Sequence, residues 1–206
     1  MKLLKQVLEK LWSGALRDNF FVHPNALVDD GAKIGKGSRI WAFAHILSGA
    51  RVGKECNICD HTFIESGVVL GDRVTVKCGV FIWEGAIIEN DVFIGPNVTF
   101  TNDLRPRSKQ YGPDGILPIK LRKGCSIGAN ATLLPHVTIG EFAMIGAASV
   151  VTRDVPAHAL FFGGPARQSG WVCRCARKLN FIGDRANCCD ISYLAKDGKL
   201  GVENAT

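Results

Sequence analysis

The sequence predicts an all-β fold, a parallel solenoid of short strands wound into a triangular coil, on three observations. Every sixth residue is large and apolar in two uninterrupted registers, from position 22 to 100 and from 121 to 151. Small or β-branched residues recur four positions after each of these large ones. Glycines, among them Gly35, Gly53 and Gly71, recur between the two series. Each six-residue unit is therefore expected to be one strand and one turn, with a large and a small side chain pointing inward.

A repeat of six residues excludes the common alternatives. Apolar residues of an α-helix recur at spacings of three and four, and those of a sandwich alternate with polar residues in strands that lie further apart in the chain. Three units close one coil of 18 residues, and the coils stack because no single coil can bury its own inner face. Residues 18 apart are therefore predicted to lie above one another.

Three regions follow from where the repeat begins and ends. They are an N-terminal capping helix within residues 1–20, the solenoid at 21–156 with a loop inserted at 101–120, and an irregular, cysteine-rich extension at 157–206. The helix is predicted because residues 2–12 place four apolar side chains on one helical face. That stretch is short and mixed in charge, which favours a cap across the open end of the coil over a membrane-surface helix.

Composition and charge narrow the classes of function. No run of 18 apolar residues crosses a membrane, and the N-terminus lacks a secretory pattern. The eight cysteines are therefore expected to be reduced thiols in a cytoplasmic protein. The net charge of +6 is not concentrated in a run of Lys or Arg, so we expect a phosphate-bearing small molecule rather than nucleic acid as the acidic partner.

Four of the cysteines form two close pairs in the extension, Cys173 with Cys175 and Cys188 with Cys189. Clustered thiolates are typical zinc ligands, but neither pair has the two-residue spacing of a zinc ribbon. The sequence therefore favours unligated thiols, with bound zinc as the weaker alternative, and no metal is expected to be required for activity.

The 18-residue period also places distant residues on common edges of the coil. The predicted stacks are 60–61, 78–79 and 96–97 on one edge, 65–66, 83–84 and 101–102 on the next, and an outward row between them of His45, Phe63, Phe81 and Thr99. Two phenylalanines in register suit a surface that another subunit covers. We therefore predict a homo-oligomer whose sites form between subunits.

The loop at 101–120 leaves the coil beside these stacks. It contains three cations and an aromatic residue, Arg105, Arg107, Lys109 and Tyr111. Long excursions from a compact solenoid are usually functional. The loop is predicted to be a flap whose cations bind phosphates and whose ring packs on a base, with a solvated loop as the alternative.

Three stretches carry a resemblance to a known family. They are IWAFAHILSGARVGKECNICDHTFIE at 40–65, VTVKCGVFIWEGAIIENDVFIGPNVTFTNDLRPRSKQY at 74–111, and IGANATLLPHVTIGEFAMIGAASVVTRDVPAHALFFGGPAR at 127–167. The first two resemble the nucleotide-sugar 3-N-acetyltransferases of the hexapeptide-repeat class, and the third resembles the ending common to hexapeptide acyltransferases. The likeness covers about residues 20 to 172.

The resemblance implies a left-handed parallel β-helix, a homotrimer, and transfer of acetyl from acetyl-CoA to a sugar amine for surface glycan biosynthesis. The most similar group acts on dTDP-linked 3-amino-3,6-dideoxyhexoses. A sister group acts on UDP-2-acetamido-3-amino-2,3-dideoxyglucuronate and has Asn-Asn where this chain has Cys78 and Gly79, which argues against the uronate. O-acetylation on the same fold is a further alternative.

Site residues follow partly from the stacks and partly from the resemblance. His61 is the first candidate for contact with the amine, with Asp60 positioned to orient it; the alternative is a histidine that only hydrogen-bonds a neighbouring turn. In a mechanism without a protein base, Asp60, Glu84 or a backbone carbonyl only orients the nitrogen. Trp83, Glu84 and Asn102 are expected to bind the sugar nucleotide along with the loop. The residues expected to bind CoA are Ala129, Ala147, Gly164 and Arg167.

The other histidines receive lesser roles. His136 is expected to be structural or close to CoA, and His23, His45 and His158 are expected on the surface or at an interface. A trimeric carbonic anhydrase built on the same coil would need three interface histidines for zinc, and only His45 and His61 fall near one edge. An ice-binding solenoid would need flat threonine rows, which the irregular outward rows do not provide.

Overall fold

The computed structural model describes residues 15–17, 19–109, 115, 117–196 and 198–204. All regular secondary structure in these residues is β-strand, and no helix in them is long and apolar enough to cross a membrane. The helix predicted at 2–12 lies outside the described residues. Directly after it, Ala15–Arg17 forms a strand that pairs antiparallel with Phe20–Val22.

The strands of the coil form three faces, and the chain visits the faces in turn. The first face contains β1 Ala15–Arg17, β2 Phe20–Val22, β5 Arg39–Ile40, β8 Asn57–Ile58, β11 Thr75–Val76, β14 Phe93–Ile94, β17 Ser126–Ile127, β20 Met144–Ile145, β22 Ala159–Phe162 and β23 Arg167–Trp171. The second contains β3 Leu27–Val28, β6 His45–Ile46, β9 Phe63–Ile64, β12 Phe81–Ile82, β15 Thr99–Phe100, β18 Thr132–Leu133 and β21 Val150–Val151. The third contains β4 Lys33–Ile34, β7 Arg51–Val52, β10 Val69–Leu70, β13 Ile87–Ile88, β16 Lys120–Leu121 and β19 Thr138–Ile139.

The predicted period of 18 residues is confirmed by the register of these faces. On the second face His45 pairs with Phe63, and Phe63 pairs with Phe81, in parallel ladders. The second residue of each two-residue strand belongs to the large apolar series and points into the coil, so that Ile40 and Ile58 are fully inaccessible to solvent. The backbone ladders and the apolar core therefore run along the same axis, and each coil depends on its neighbours for both.

The small series fills the corners of the core. Most of its members are buried, and those with polar side chains bond to the backbone: the Ser38 hydroxyl donates to Gly53 O at 2.8 Å, the Thr62 hydroxyl donates to Cys59 O at 2.8 Å, and the Ser149 hydroxyl accepts from Gly163 N at 3.2 Å. Every buried side-chain polar atom in the described residues has a hydrogen-bond partner. The corners are thus dry and satisfied, which is the condition for stacking coils closely.

Close stacking, rather than an unusual backbone angle, explains the recurrent glycines between the series. A Cβ on Gly128 would lie 2.5 Å from the backbone nitrogen of Ala147 in the next coil. The left-handed corner positions, which favour glycine, are instead often occupied by larger residues such as Phe43, His61 and Asn97. These corners therefore carry outward side chains at positions where glycine is the ordinary choice.

The C-terminal extension is regular, not irregular as the sequence suggested. After β23, the chain forms an antiparallel sheet of three strands, β24 Arg185–Cys188, β25 Ile191–Lys196 and β26 Lys199–Asn204. The prediction of an irregular extension rested on the cysteine pairs and did not use the alternating pattern of these strands. Tyr193 of β25 is buried, so the sheet has a packed face of its own.

The surface position expected for His158 is wrong. Its ring is buried between Phe142 of the coil, with centroids 5.3 Å apart, and Tyr193 of the C-terminal sheet, at 5.5 Å. A ring nitrogen lies 2.9 Å from Val172 O. Burial lowers the pKa of His158, although its hydrogen bond to Val172 and the charge of Glu141 partly oppose that shift. His158 therefore joins the coil to the extension as a neutral ring.

We expect this histidine to make the fold less stable in acid. Below about pH 6.5 the unfolded chain protonates its histidine while the native ring stays neutral, so the free energy of unfolding falls by up to about 1.4 kcal/mol per pH unit until the native ring also titrates. Urea denaturation from pH 7.5 to 5 should show a shallower pH dependence in His158→Gln than in the native chain. His136→Gln, at an exposed position, is the control, and equal slopes in all three proteins would contradict the assignment.

Candidate active site

The edge between the first and second faces, called here the first edge, carries the residues predicted to contact the amine. Backbone hydrogen bonds connect its coils: His61 N donates to Ala42 O at 3.2 Å, Gly79 N to Asp60 O at 3.1 Å, and Asn97 N to Cys78 O at 3.0 Å. The predicted stack of 60–61, 78–79 and 96–97 is thus confirmed. The edge is continuous because each corner repeats 18 residues after the one before it.

His61 is exposed, and its ring is held by an aromatic contact. The ring stacks on Phe43 of the preceding coil with centroids 4.9 Å apart and planes inclined by 12°. Within the described part of the chain, no hydrogen bond joins the His61 ring to Asp60 or to any other side chain. The structure therefore fixes the plane of the imidazole through Phe43 and leaves its nitrogens available to a ligand.

The outward surface of the second face is aromatic. Phe63 lies 6.4 Å from Phe81 and 5.7 Å from Trp83 between ring centroids, and Phe81 lies 6.2 Å from Trp83. The predicted outward row of His45, Phe63, Phe81 and Thr99 is confirmed. Trp83 lies at the neighbouring corner and packs against the two phenylalanines of this row. Phe81 is 50% exposed in the single chain. We call Phe63, Phe81 and Trp83 the aromatic patch.

The edge between the second and third faces, the second edge, is where the loop leaves the coil. A small recess there is lined by Trp83, Glu84, Ala86, Phe100, Thr101, Asn102, Leu117 and Ile119. Trp83 is anchored by its indole N–H, which donates to Phe100 O at 2.9 Å, and Glu84 N donates to a carboxylate oxygen of Glu65 at 2.7 Å. Three residues predicted to bind substrate, Trp83, Glu84 and Asn102, are thus brought together.

The recess is far smaller than a site for a nucleotide sugar. Its volume is about 10 Å³, whereas pockets for small ligands typically measure roughly 300–1,000 Å³. A groove of about 320 Å³ lies on the third face, lined in part by Val69, Ile87 and Lys123, and contains none of the predicted site residues. The recess at the second edge is therefore too small to hold a nucleotide sugar by itself.

The cations of the loop follow Asn102 of this recess in the chain. Arg105, Arg107 and Lys109 are all exposed. Arg105 N donates to an Asp103 carboxylate oxygen at 2.7 Å, which forms a local turn, and Arg107 bonds to its neighbour Pro106 O at 2.9 Å. Tyr111 lies outside the described residues. The loop therefore places three exposed cations within seven residues of Asn102 in the chain.

The residues expected to bind CoA continue the first edge beyond Asn97. Asn130 N donates to Pro96 O at 2.9 Å, and Ala148 N donates to Ala129 O at 2.8 Å, so Ala129 and Ala147 occupy the next two corners. Coils repeat at about 4.8 Å, which places Ala129 about 14 Å from Asp60 along the edge. Gly164 and Arg167 follow in the last coil and are exposed. One edge thus joins His61 to a track of small residues.

Comparison with known proteins identifies the family. The model for the bacterial transferase hexapeptide (six repeats) matches residues 31–66 and 118–153, on either side of the loop. The dTDP-3-amino-3,6-dideoxy-alpha-D-galactopyranose 3-N-acetyltransferase of Aneurinibacillus thermoaerophilus is 55% identical over 179 residues, which cover 86% of this chain and 92% of that enzyme. The chain belongs to the hexapeptide-repeat sugar N-acetyltransferases.

Two further relatives show how far the likeness of this acetyltransferase extends. The galactoside O-acetyltransferase of Escherichia coli (strain K12) is 33% identical over 120 residues, or 55% of this chain and 50% of that enzyme. The UDP-N-acetylglucosamine acyltransferase from Campylobacter jejuni superposes with a TM-score of 0.51 at 21% identity, covering 73% of this chain and 74% of that one. The second likeness shows the fold alone. The acetyltransferase has the left-handed β-helix that the resemblance implied.

One contact of the acetyltransferase was missed by the sequence analysis. A ring nitrogen of His45 lies 3.0 Å from a carboxylate oxygen of Asp29, and the ring meets Phe63 edge-on with centroids 5.8 Å apart. The pair spans 16 residues, so the 18-residue period does not place its members on one stack. The contact could have been predicted by comparing adjacent coils at the second edge. Asp29 begins a corner there and lies beside β6, which contains His45. His45 is thus an oriented histidine on the second face.

Proposed function

We propose that this protein transfers the acetyl group of acetyl-CoA to the 3-amino group of a dTDP-linked 3-amino-3,6-dideoxyhexose. The observation that carries the proposal is the 55% identity over 92% of an enzyme named for that reaction on the galacto sugar. The layout of the chain supports it, because one edge offers His61 and a track of small residues while the neighbouring edge offers Glu84, Asn102 and the cationic loop.

The active enzyme is a homotrimer with its sites between subunits. The support is physical: the aromatic patch exposes half of Phe81, and the recess at the second edge is too small to hold a ligand by itself. Burying a phenylalanine that is fully exposed contributes about 1.5–3 kcal/mol. A second subunit on this face would cover the aromatic patch and supply the opposite wall of the site.

In the reaction, the neutral sugar amine attacks the thioester carbonyl carbon of acetyl-CoA. A C–N bond forms, the C–S bond breaks, and the products are an amide and free CoA thiol after one proton passes from nitrogen to sulfur. His61 accepts the proton of the amine, and Phe43 keeps the imidazole in position. The oxyanion that develops on the carbonyl needs hydrogen-bond donors, which backbone N–H groups at a corner can provide.

The two phosphorylated substrates approach from different sides. Arg105, Arg107 and Lys109 bind the diphosphate of the sugar nucleotide, and Tyr111 packs on its base. The pantetheine arm of CoA lies along Ala129 and Ala147, where small side chains let it approach the backbone, and Gly164 and Arg167 receive its nucleotide. None of the eight cysteines forms a disulfide, which supports a reducing compartment such as the cytoplasm.

A thiol-release assay tests the function. The purified protein is incubated with acetyl-CoA and a panel of dTDP- and UDP-linked 3-amino sugars, and free CoA is measured with a disulfide reagent. We expect rapid release with dTDP-3-amino-3,6-dideoxyhexoses and slow release with UDP-2-acetamido-3-amino-2,3-dideoxyglucuronate. Matched 3-hydroxy sugars are the controls for O-acetylation. Release only with the hydroxy sugars, or with none of the amines, would overturn the proposal.

A further inference from the structure

The C-terminal extension brings four thiols into one cluster. The sulfur atoms of Cys173, Cys175, Cys188 and Cys189 all lie within 4.8 Å of one another. The first two belong to the turn that follows β23, Cys188 ends β24, and Cys189 follows it in a turn. The cluster therefore forms where a turn and the end of a strand meet. Cys175 of the turn and Cys188 of the strand are 13 residues apart in the sequence.

The distances match those of a tetrahedral metal site. Sulfur ligands about 2.3 Å from Zn²⁺ sit about 3.8 Å apart at the corners of a tetrahedron. The sulfur atoms of Cys175 and Cys188 are 3.7 Å apart, and those of Cys188 and Cys189 are 3.8 Å apart. A disulfide would need about 2.05 Å. The cluster thus has the dimensions of a cation site with four sulfur ligands rather than of cross-linked cysteines.

Backbone geometry explains how adjacent cysteines reach one centre despite the unusual spacing. Successive residues of a strand point to opposite sides. Cys189 instead has a left-handed backbone with φ of 52°, which ends the strand alternation and turns its sulfur toward that of Cys188. On the other side, Ala176 has φ of 70° in the turn closed by its N–H bond to Cys173 O at 2.8 Å. Two left-handed turns therefore replace the usual two-residue spacers.

Two neighbouring side chains donate hydrogen bonds to three of the four sulfurs. The Arg177 guanidinium donates to the sulfur of Cys175 at 3.4 Å and to that of Cys189 at 3.2 Å, and the Tyr193 hydroxyl donates to that of Cys173 at 3.2 Å. Hydrogen-bond donors and a positive charge beside a sulfur atom favour its thiolate form. Thiolates are the form that binds metal.

We propose that Cys173, Cys175, Cys188 and Cys189 bind one Zn²⁺ that fastens the turn after β23 to the C-terminal sheet. Four protein ligands leave no open position for water or substrate, so the site is structural rather than catalytic. Binding releases the remaining thiol protons to solvent, and Arg177 offsets part of the negative charge of the tetrathiolate centre. The inference does not depend on the proposed acetyl transfer.

Metal analysis of the whole chain tests the site. We expect protein purified under reducing conditions and without chelator to contain about one zinc per chain. Cys175→Ser/Cys188→Ser should reduce this to background, while Cys78→Ser, an exposed cysteine outside the cluster, should retain the full amount. Full zinc content in the double variant would overturn the proposal.

The native chain provides a second measurement that does not depend on the folding of the double variant. After the metal is removed with a chelator under reducing conditions, one equivalent of Co²⁺ should give sulfur-to-cobalt charge-transfer bands and strong visible bands of a tetrahedral thiolate site. Zinc should then displace the cobalt and abolish these bands. Absence of the bands, or a disulfide between Cys175 and Cys188 in freshly purified metal-free protein, would refute a zinc site.

Discussion

Phe81→Glu should convert the assembly into monomers and lower turnover at least about a hundredfold. Phe81 is half exposed in the single chain, and the assembly proposed here covers it once in every subunit. The substitution removes an apolar side chain whose full burial contributes about 1.5–3 kcal/mol, and it places a carboxylate where desolvation costs several kcal/mol. Both effects are repeated three times in a trimer. Activity is lost with the assembly because each site lacks its second wall.

Phe93→Glu is a matched control for this experiment. Phe93 occupies the outward position of a two-residue strand, as Phe81 does, and is 41% exposed compared with 50% for Phe81, but it lies on the first face. Light scattering coupled to size exclusion should report a trimer for Phe93→Glu and monomers for Phe81→Glu, with similar circular dichroism for both. If Phe81→Glu remains trimeric and active, the second face is not the interface.

The regular part of this fold could be predicted because one period determines burial, pairing and stacking together. A large residue at every sixth position places Ile40 and Ile58 in the core, and the same count places Phe63 beneath Phe81. Contacts that leave the period could not be found in this way. The stacking of His61 on Phe43 depends on side-chain torsions, and the pairing of Asp29 with His45 crosses a corner at a spacing of 16.

The extension was harder to predict for a different reason. Its strands follow no six-residue repeat, so only weak alternation marked them, and the cysteine spacing argued against a metal site. Two cysteines of a regular strand need intervening residues if their sulfur atoms are to reach the same metal ion, because adjacent side chains point to opposite sides. The left-handed backbone at Cys189 lets adjacent cysteines reach one centre without such residues. A positive φ at a cysteine is not predicted by the sequence pattern. The burial of His158 between the coil and the extension was also missed. That burial depends on where Tyr193 packs, which no local pattern in the sequence indicates.

His61→Ala is expected to lower kcat at least tenfold with a much smaller change in KM. General base catalysis by a positioned side chain typically raises the rate by about 10²–10⁴-fold. The contribution is smaller here because a fraction of the substrate amine is already deprotonated in solution. Removing the ring leaves a cavity beside Phe43 on an exposed edge, so free imidazole added to the assay should restore part of the rate. Raising the pH should also narrow the difference from the native enzyme, because more of the substrate amine is then deprotonated without help.

His23→Ala controls for loss of a histidine on the same edge. His23 lies two coils before His61 at the first edge, where its ring accepts a hydrogen bond from Asn25 N at 3.1 Å, and it has no part in the proposed site. Its variant should keep native kcat, and both variants should remain trimeric. Native turnover in His61→Ala would show that the enzyme needs no protein base. Acetylation would then depend on orientation of the amine by Asp60 or Glu84, and Glu84→Gln would become the variant with the larger effect, because Glu84 lines the recess together with Asn102.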